Sequence, residues 1–182
     1  MKISLYIQSL RGGGSERVFT ILANQFSKKN LKVDLLLSKK IGPNLKRVKK
    51  NVNIINFNSP RSSIYIFDII PFLKYLKEKN TDVIISTGLT NLTTMIGKKI
   101  SSIDKPFIIR INNYSCLKKT KPRNFYKKLF YKNTDYVVAI SKRMKRDMIK
   151  TFQISKDKVK IIYNPIDIKK INKNTEKKAE LK

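Results

Sequence analysis

The sequence predicts an α/β fold, a Rossmann-like parallel sheet of about six or seven strands with helices on both faces. Three observations carry this. Short β-branched runs alternate with longer helical patterns from end to end of the chain. Most of those short runs are continuously apolar rather than alternating, as strands covered on both faces are. The length of 182 residues, 41% of them hydrophobic, suits one domain with a proper core.

Taken in order, the first strand spans 2–8 around Ile3, Leu5 and Ile7, and a helix over 15–28 follows. That helix sets Val18, Phe19, Leu22, Ala23 and Phe26 on one stripe. Strands over 32–37 and 53–57 come next, then a helix over 64–79. A strand over 82–86, a helix over 91–101 and a strand over 106–111 continue the alternation. The segment 123–132 reads as a helix with Phe125, Tyr126, Leu129 and Phe130 on one face and Lys127, Lys128 and Lys132 opposite. A strand over 135–140 precedes a helix over 141–152, where Met144, Met148 and Phe152 recur every fourth residue as core packing does. The last strand is 159–163. Residues 1–168 read as one domain, and 169–182 as a polar tail or the start of an interdomain linker.

Composition excludes several chemistries. The chain has no His, so His-based triads, general bases and metal sites are ruled out. Its single cysteine, Cys116, excludes an internal disulfide and a cysteine-rich zinc site. The formal net charge of +29 has two readings. One is attraction to a polyanion. The other is compositional drift towards Lys, Ile and Asn, which fits lysines scattered over every element. Charge alone does not decide. No nucleic-acid motif is present, so no nucleic-acid partner is expected. The most apolar stretch, 64–76, contains Asp68, Pro71 and Lys74 and falls short of the ~20 residues a span requires. The N-terminus meets Arg11 too early for a signal-peptide core, so a cytoplasmic location is expected.

In an open α/β sheet, ligands settle at the carboxyl ends of the strands. The first loop there is Ser9-Leu10-Arg11-Gly12-Gly13-Gly14-Ser15-Glu16-Arg17. Its glycines permit positive φ, expected at Gly13, and close backbone approach, while the following helix aims free N–H groups at an anion. It lacks the Lys-Ser/Thr pair of a Walker loop, and Arg17 stands where a dinucleotide fingerprint ends in glycine. Ser15 as the helix cap of an ordinary turn is the plainer alternative.

Gly12-Gly13-Gly14-Ser15-Glu16-Arg17-Val18, followed by Leu22-Ala23-Asn24, resembles the opening of family 4 glycosyltransferases. Tyr136-Val137-Val138-Ala139-Ile140-Ser141 and Lys158-Val159-Lys160-Ile161-Ile162-Tyr163-Asn164-Pro165-Ile166-Asp167 resemble two further signatures, in the family's order and at its distances. The resemblance implies the N-terminal, acceptor-side half of a GT-B fold. It also implies retaining transfer from a nucleotide sugar, commonly without a metal, and no cofactor. The donor-domain signatures are absent from this sequence, so the nucleotide sugar would bind chiefly to a second domain. A truncated gene, half of a split enzyme and a degenerate copy are the alternatives, and this chain alone is expected to be inactive.

By the same resemblance, Gly12, Gly13 and Gly14 line the cleft near the donor phosphates, with Ser15 and Glu16 beginning the helix behind them. Arg110, Asn112 and Asn113 follow the fifth strand, where many relatives place a donor-contacting histidine that this chain lacks. An ordinary turn is the alternative for Asn112-Asn113. Ser141 is a helix cap or a cleft residue, and Asn164 marks the interdomain hinge or a turn forced by Pro165. Ser86 and Thr87 are weaker candidates of the same kind. The expected partners are a glycan or lipid-linked acceptor, a donor-binding domain and an anionic membrane surface. The segment Lys118-Lys119-Thr120-Lys121-Pro122-Arg123 and the helix after it could dock on the last of these. A non-catalytic Rossmann-like binding module remains the alternative function.

Overall fold

A computed structural model describes residues 1–60, 65–112 and 134–166. Among these residues, seven strands form one sheet in the order β3-β2-β1-β4-β5-β6-β7. They are β1 (Lys2–Ile7), β2 (Lys32–Leu37), β3 (Asn53–Asn56), β4 (Val83–Thr87), β5 (Phe107–Ile111), β6 (Tyr136–Ala139) and β7 (Val159–Ile161). Every neighbouring pair is parallel. The described α-helices are α1 (Gly14–Lys28), α2 (Ile69–Glu78), α3 (Thr90–Ser101) and α4 (Lys142–Phe152). The Rossmann-like α/β architecture is therefore the one expected, with the strand order reversing between β1 and β4.

Local chemistry explains where the elements differ from expectation. The segment 64–79 is not one helix: Tyr65–Asp68 forms a 3-10 turn and α2 begins at Ile69. A continuous helix from 64 would need an N–H at position 71, and Pro71 has none. Starting at Ile69 places Pro71 in the first turn, where no donor is needed. Helix α1 starts one residue before Ser15, with Gly13 as its N-cap, so the expected Ser15 cap is not formed. Ser141, by contrast, does cap α4, its Oγ accepting from Met144 N at 3.1 Å. The expected helix over 123–132 and the tail 169–182 lie outside the described residues.

Both faces of the sheet are covered, which is why β1 and β2 are apolar at successive positions. Ile3, Leu5, Ile7, Leu35 and Leu37 pack against Val18, Phe19 and Ala23 of α1. On the other face Tyr6, Leu36, Ile84 and Phe107 meet Phe72, Tyr75 and Leu76 of α2. The Tyr6 and Phe72 rings stack with centroids 5.3 Å apart. Met144, Met148 and Phe152 pack on Ile109, Val137 and Ala139, the core role that their spacing predicts.

Two polar networks pin the sheet at its ends. At the amino edge Asp34 pairs with Lys2 at 2.8 Å and accepts from Tyr75 Oη at 2.7 Å and Asn53 Nδ2 at 2.8 Å. Burial pushes the Asp34 carboxyl up, but these hydrogen bonds and the Lys2 charge outweigh it and hold the group below its ordinary range. Towards the carboxyl edge the buried Asp68 accepts from Tyr6 Oη at 2.6 Å and from the hydroxyls of Ser38 and Ser59. Burial, reinforced by the Asp68 charge, raises the Tyr6 phenol well above its ordinary value and keeps it a donor.

Candidate functional site

The β1–α1 loop emerges at the carboxyl end of β1, beside the point where strand order reverses. Gly12 carries the positive φ, +131°; Gly13 has φ −70° and is ordinary extended backbone, which corrects the expectation for that residue. The Gly13 carbonyl accepts the first helical bond, from Arg17 N at 3.1 Å. The N–H groups of the preceding turn therefore have no partner within the helix. A Cβ on Gly14 would meet nothing within 4 Å, so this helix end is open to solvent. Glu16 lies in the same first turn, its carboxylate folded back over Gly13.

A contact that local pattern did not reveal fixes this loop from below. Leu10 N donates to Ile41 O at 2.9 Å, and Asn44 N donates to Leu10 O at 3.2 Å. Gly42, at φ +118°, lies against the Leu10 carbonyl so closely that a side chain there would collide with backbone. The Gly42-Pro43 pair was the available signal, since such pairs mark turns.

The end of β5 meets the same loop. Asn112 Nδ2 donates to Ser15 Oγ, so Ser15 serves as a cross-sheet link rather than a cap. Arg110, 5% exposed, donates from Nη1 to Thr87 Oγ1 at 3.2 Å and from Nη2 to Asn164 Oδ1 at 2.7 Å. Burial lowers the guanidinium pKa from its ordinary value. Asn164 is itself exposed and lies beyond β7. The Thr87 hydroxyl donates to Arg110 O at 3.2 Å, and Ser86 Oγ donates to Asn91 Oδ1 at 2.7 Å. Ser86 and Thr87 are buried and engaged with scaffold. Thr90 Oγ1 closes the switch point, donating to Tyr6 O at 3.0 Å.

Gly12, Gly13, Gly14, Ser15, Glu16, Arg110, Asn112 and Asn164 are thus joined at one edge, while Ser141, at the end of β6, spends its hydroxyl on capping α4. Asn113 lies outside the described residues. Among the described residues, no three Asp, Glu, Cys or His side chains gather closely enough to hold a metal ion, and no helix is long and apolar enough to cross a membrane. Leu89, Ile162, Tyr163 and Ile166, which follow the carboxyl ends of β4 and β7, are all at least 50% exposed. A groove of about 650 Å³ lies at the opposite, amino edge beside Lys2, Asp34 and Asp82. Its Asp34 is already paired with Lys2 and its Asp82 accepts from Lys2 N, and the site residues above have no part in it.

Comparison with known proteins gives three findings. The family described as Glycosyltransferase Family 4 matches residues 12–170. A Campylobacter jejuni (serotype O:2) protein is 27% identical over 197 residues, covering 100% of this chain and 52% of its own length. It is the N-acetylgalactosamine-N,N'-diacetylbacillosaminyl-diphospho-undecaprenol 4-alpha-N-acetylgalactosaminyltransferase. Among solved structures, the lipopolysaccharide outer core galactosyltransferase WaaB superposes with a TM-score of 0.70 at 19% identity, over 92% of this chain and 47% of its own. Anabaena HepE, in complex with UDP and glucose, gives 0.71 at 18% identity, over 93% of this chain and 46% of its own. The chain spans about half the length of these proteins, and the fold is that of the N-terminal half of GT-B glycosyltransferases.

Proposed function

Because the chain belongs to glycosyltransferase family 4, we propose that it forms the acceptor-side half of a retaining nucleotide-sugar glycosyltransferase of lipid-linked or cell-surface glycan assembly. One observation carries the site assignment: the loop after β1 and the end of β5 are tied together at the sheet's switch point, where α/β sheets bind ligands. The first turn of α1 offers backbone N–H groups to a hydroxyl-bearing ligand, or to an anion that displaces the Glu16 carboxylate from over Gly13, and Gly14 leaves room for its close approach.

The division of labour follows from the chemistry. Transfer requires the acceptor hydroxyl and the donor's anomeric carbon to be held in one geometry, and that orientation supplies roughly 7–11 kcal/mol of the barrier. This chain provides one wall of the cleft. A second Rossmann-like domain, on the same polypeptide or another, holds most of the donor and covers the exposed Leu89, Ile162, Tyr163 and Ile166. Residues 1–168 act as the unit, with 169–182 as a polar tail or the start of an interdomain linker. Asn164 stands at the crossing, its amide held by Arg110.

The Campylobacter relative's name points to a polyprenyl-diphosphate-linked saccharide as the acceptor class, and the HepE complex to a uridine diphosphate sugar as donor. Such an acceptor sits at a membrane, so the enzyme works on the cytoplasmic face, with the basic stretch 118–132 against anionic lipid. The test is transfer from UDP- and GDP-sugars to a polyprenyl-diphosphate-linked saccharide, by the chain alone and by the chain joined to the Campylobacter relative's second half. Transfer is expected only in the joined form. Turnover by the chain alone would overturn the division of labour. A joined protein that binds donor but transfers nothing would overturn the acceptor assignment.

A further inference from the structure

We propose that Arg110 is the phosphoryl-binding group of this site, its buried guanidinium taking a phosphate oxygen of the substrate at the carboxyl edge of the sheet. This rests on the reading of that edge as a transferase site and names the ligand chemistry within it. Three observations converge.

Arg110 is almost fully buried, and its hydrogen bonds among the described residues run to two neutral oxygens, Thr87 Oγ1 at 3.2 Å and Asn164 Oδ1 at 2.7 Å. Ion pairs join Lys2 to Asp34, Lys74 to Glu78 and Lys98 to Asp135, and Arg110 is in none of these three. A guanidinium does not give up its proton, so the charge persists, and a buried charge without a counter-charge is costly. The buried Asp34 by contrast has a counter-charge in Lys2, while the buried Asp68, like Arg110, has neutral partners, three hydroxyl donors.

At the same edge the Glu16 carboxylate lies over Gly13, and among the described residues no ion pair joins it to Arg110. The stretch 113–133 that follows β5 contains no Asp or Glu, and the next acid after Asn164 is Asp167. The position completes the argument. Nη2 reaches an exposed residue, so one end of the fork stands at the rim, and Asn112, two residues on, touches the open first turn of α1. Asn164, with Oδ1 on Arg110, keeps Nδ2 as a further donor on the same side chain. A planar, permanently charged fork suits a phosphoryl group's paired oxygens, as the point charge of a lysine does not.

Inorganic pyrophosphate, UDP and farnesyl diphosphate are the probes, titrated into the whole chain at ionic strength matched with sodium chloride. The readouts are the Arg110 side-chain nitrogen resonances and the thermal midpoint. Pyrophosphate is expected to shift the Arg110 nitrogens and raise the midpoint. Arg110→Gln should weaken the affinity about tenfold or more, and Arg110→Lys should recover only part of it. Asn164→Ala, at an exposed position, keeps the fold and should also weaken binding. A nucleotide donor as the source makes UDP the tightest of the three, and a lipid diphosphate acceptor makes it farnesyl diphosphate. If pyrophosphate binds through Arg110 but neither organic probe improves on it, the phosphoryl site stands and the transferase reading falls. Equal midpoint rises in wild type and both Arg110 variants, or unmoved Arg110 nitrogens, would overturn the proposal. So would pyrophosphate binding that appears only in Asp167→Asn, because Asp167 would then be the native counter-charge.

Discussion

Asn112, immediately after β5, donates its side-chain Nδ2 hydrogen to the hydroxyl of Ser15 in the first turn of α1, 97 residues earlier in the chain. The two strands these residues follow are not neighbours, since β4 lies between β1 and β5. The bond therefore spans the mouth of the site and fixes the glycine loop relative to Arg110.

A double-mutant cycle measures that link. Ser15→Ala and Asn112→Ala should each cost about 1 kcal/mol in urea unfolding, with a coupling of about 0.5–1.5 kcal/mol between them. Additive effects would mean that the two side chains do not hold each other.

The support beneath the glycine loop should be the more sensitive part. Gly42→Ala places a side chain at φ +118° and against the Leu10 carbonyl, so a loss of about 2 kcal/mol or more is expected. Gly14→Ala meets open space in a helical residue and should leave stability unchanged or raise it by up to about 1 kcal/mol. The same denaturation curves compare the two.

Acid sensitivity should report Asp34. Its folded pKa lies below the unfolded value of about 3.9, so its contribution is complete above that pH and disappears as pH falls through the folded value. Asp34→Asn should therefore be less stable than wild type by about 1–3 kcal/mol at pH 6, with the gap closing towards pH 2. A gap independent of pH would assign the loss to packing instead of charge.

The core contact between α2 and the sheet should dominate global stability. Phe72 is fully buried and stacked on Tyr6, so Phe72→Ala should cost about 3–5 kcal/mol by calorimetric or denaturant unfolding.

The fold was legible because buried parallel strands are written as apolar runs, and Ile3 to Ile7 or Leu35 to Leu37 can be little else. Ser141 was legible as a cap because capping is local. Ser15 was not, because the partner of its hydroxyl comes from β5, and Gly13 takes the capping position without a side chain. Positive φ belongs to Gly12 rather than Gly13 for a related reason: three successive glycines do not say which one makes the turn. The Asp68 cluster left no trace in the sequence. Its donors, Tyr6, Ser38 and Ser59, come from β1 and from beyond β2 and β3, and only the sheet brings them together.

The most direct test of the central claim is calorimetric titration of UDP- and GDP-sugars into the isolated 182-residue chain. An acceptor-side half that leaves most of the donor to a second domain should show no saturation below about millimolar concentrations, roughly −4 kcal/mol of binding free energy. Micromolar binding of either sugar nucleotide by the chain alone would contradict it.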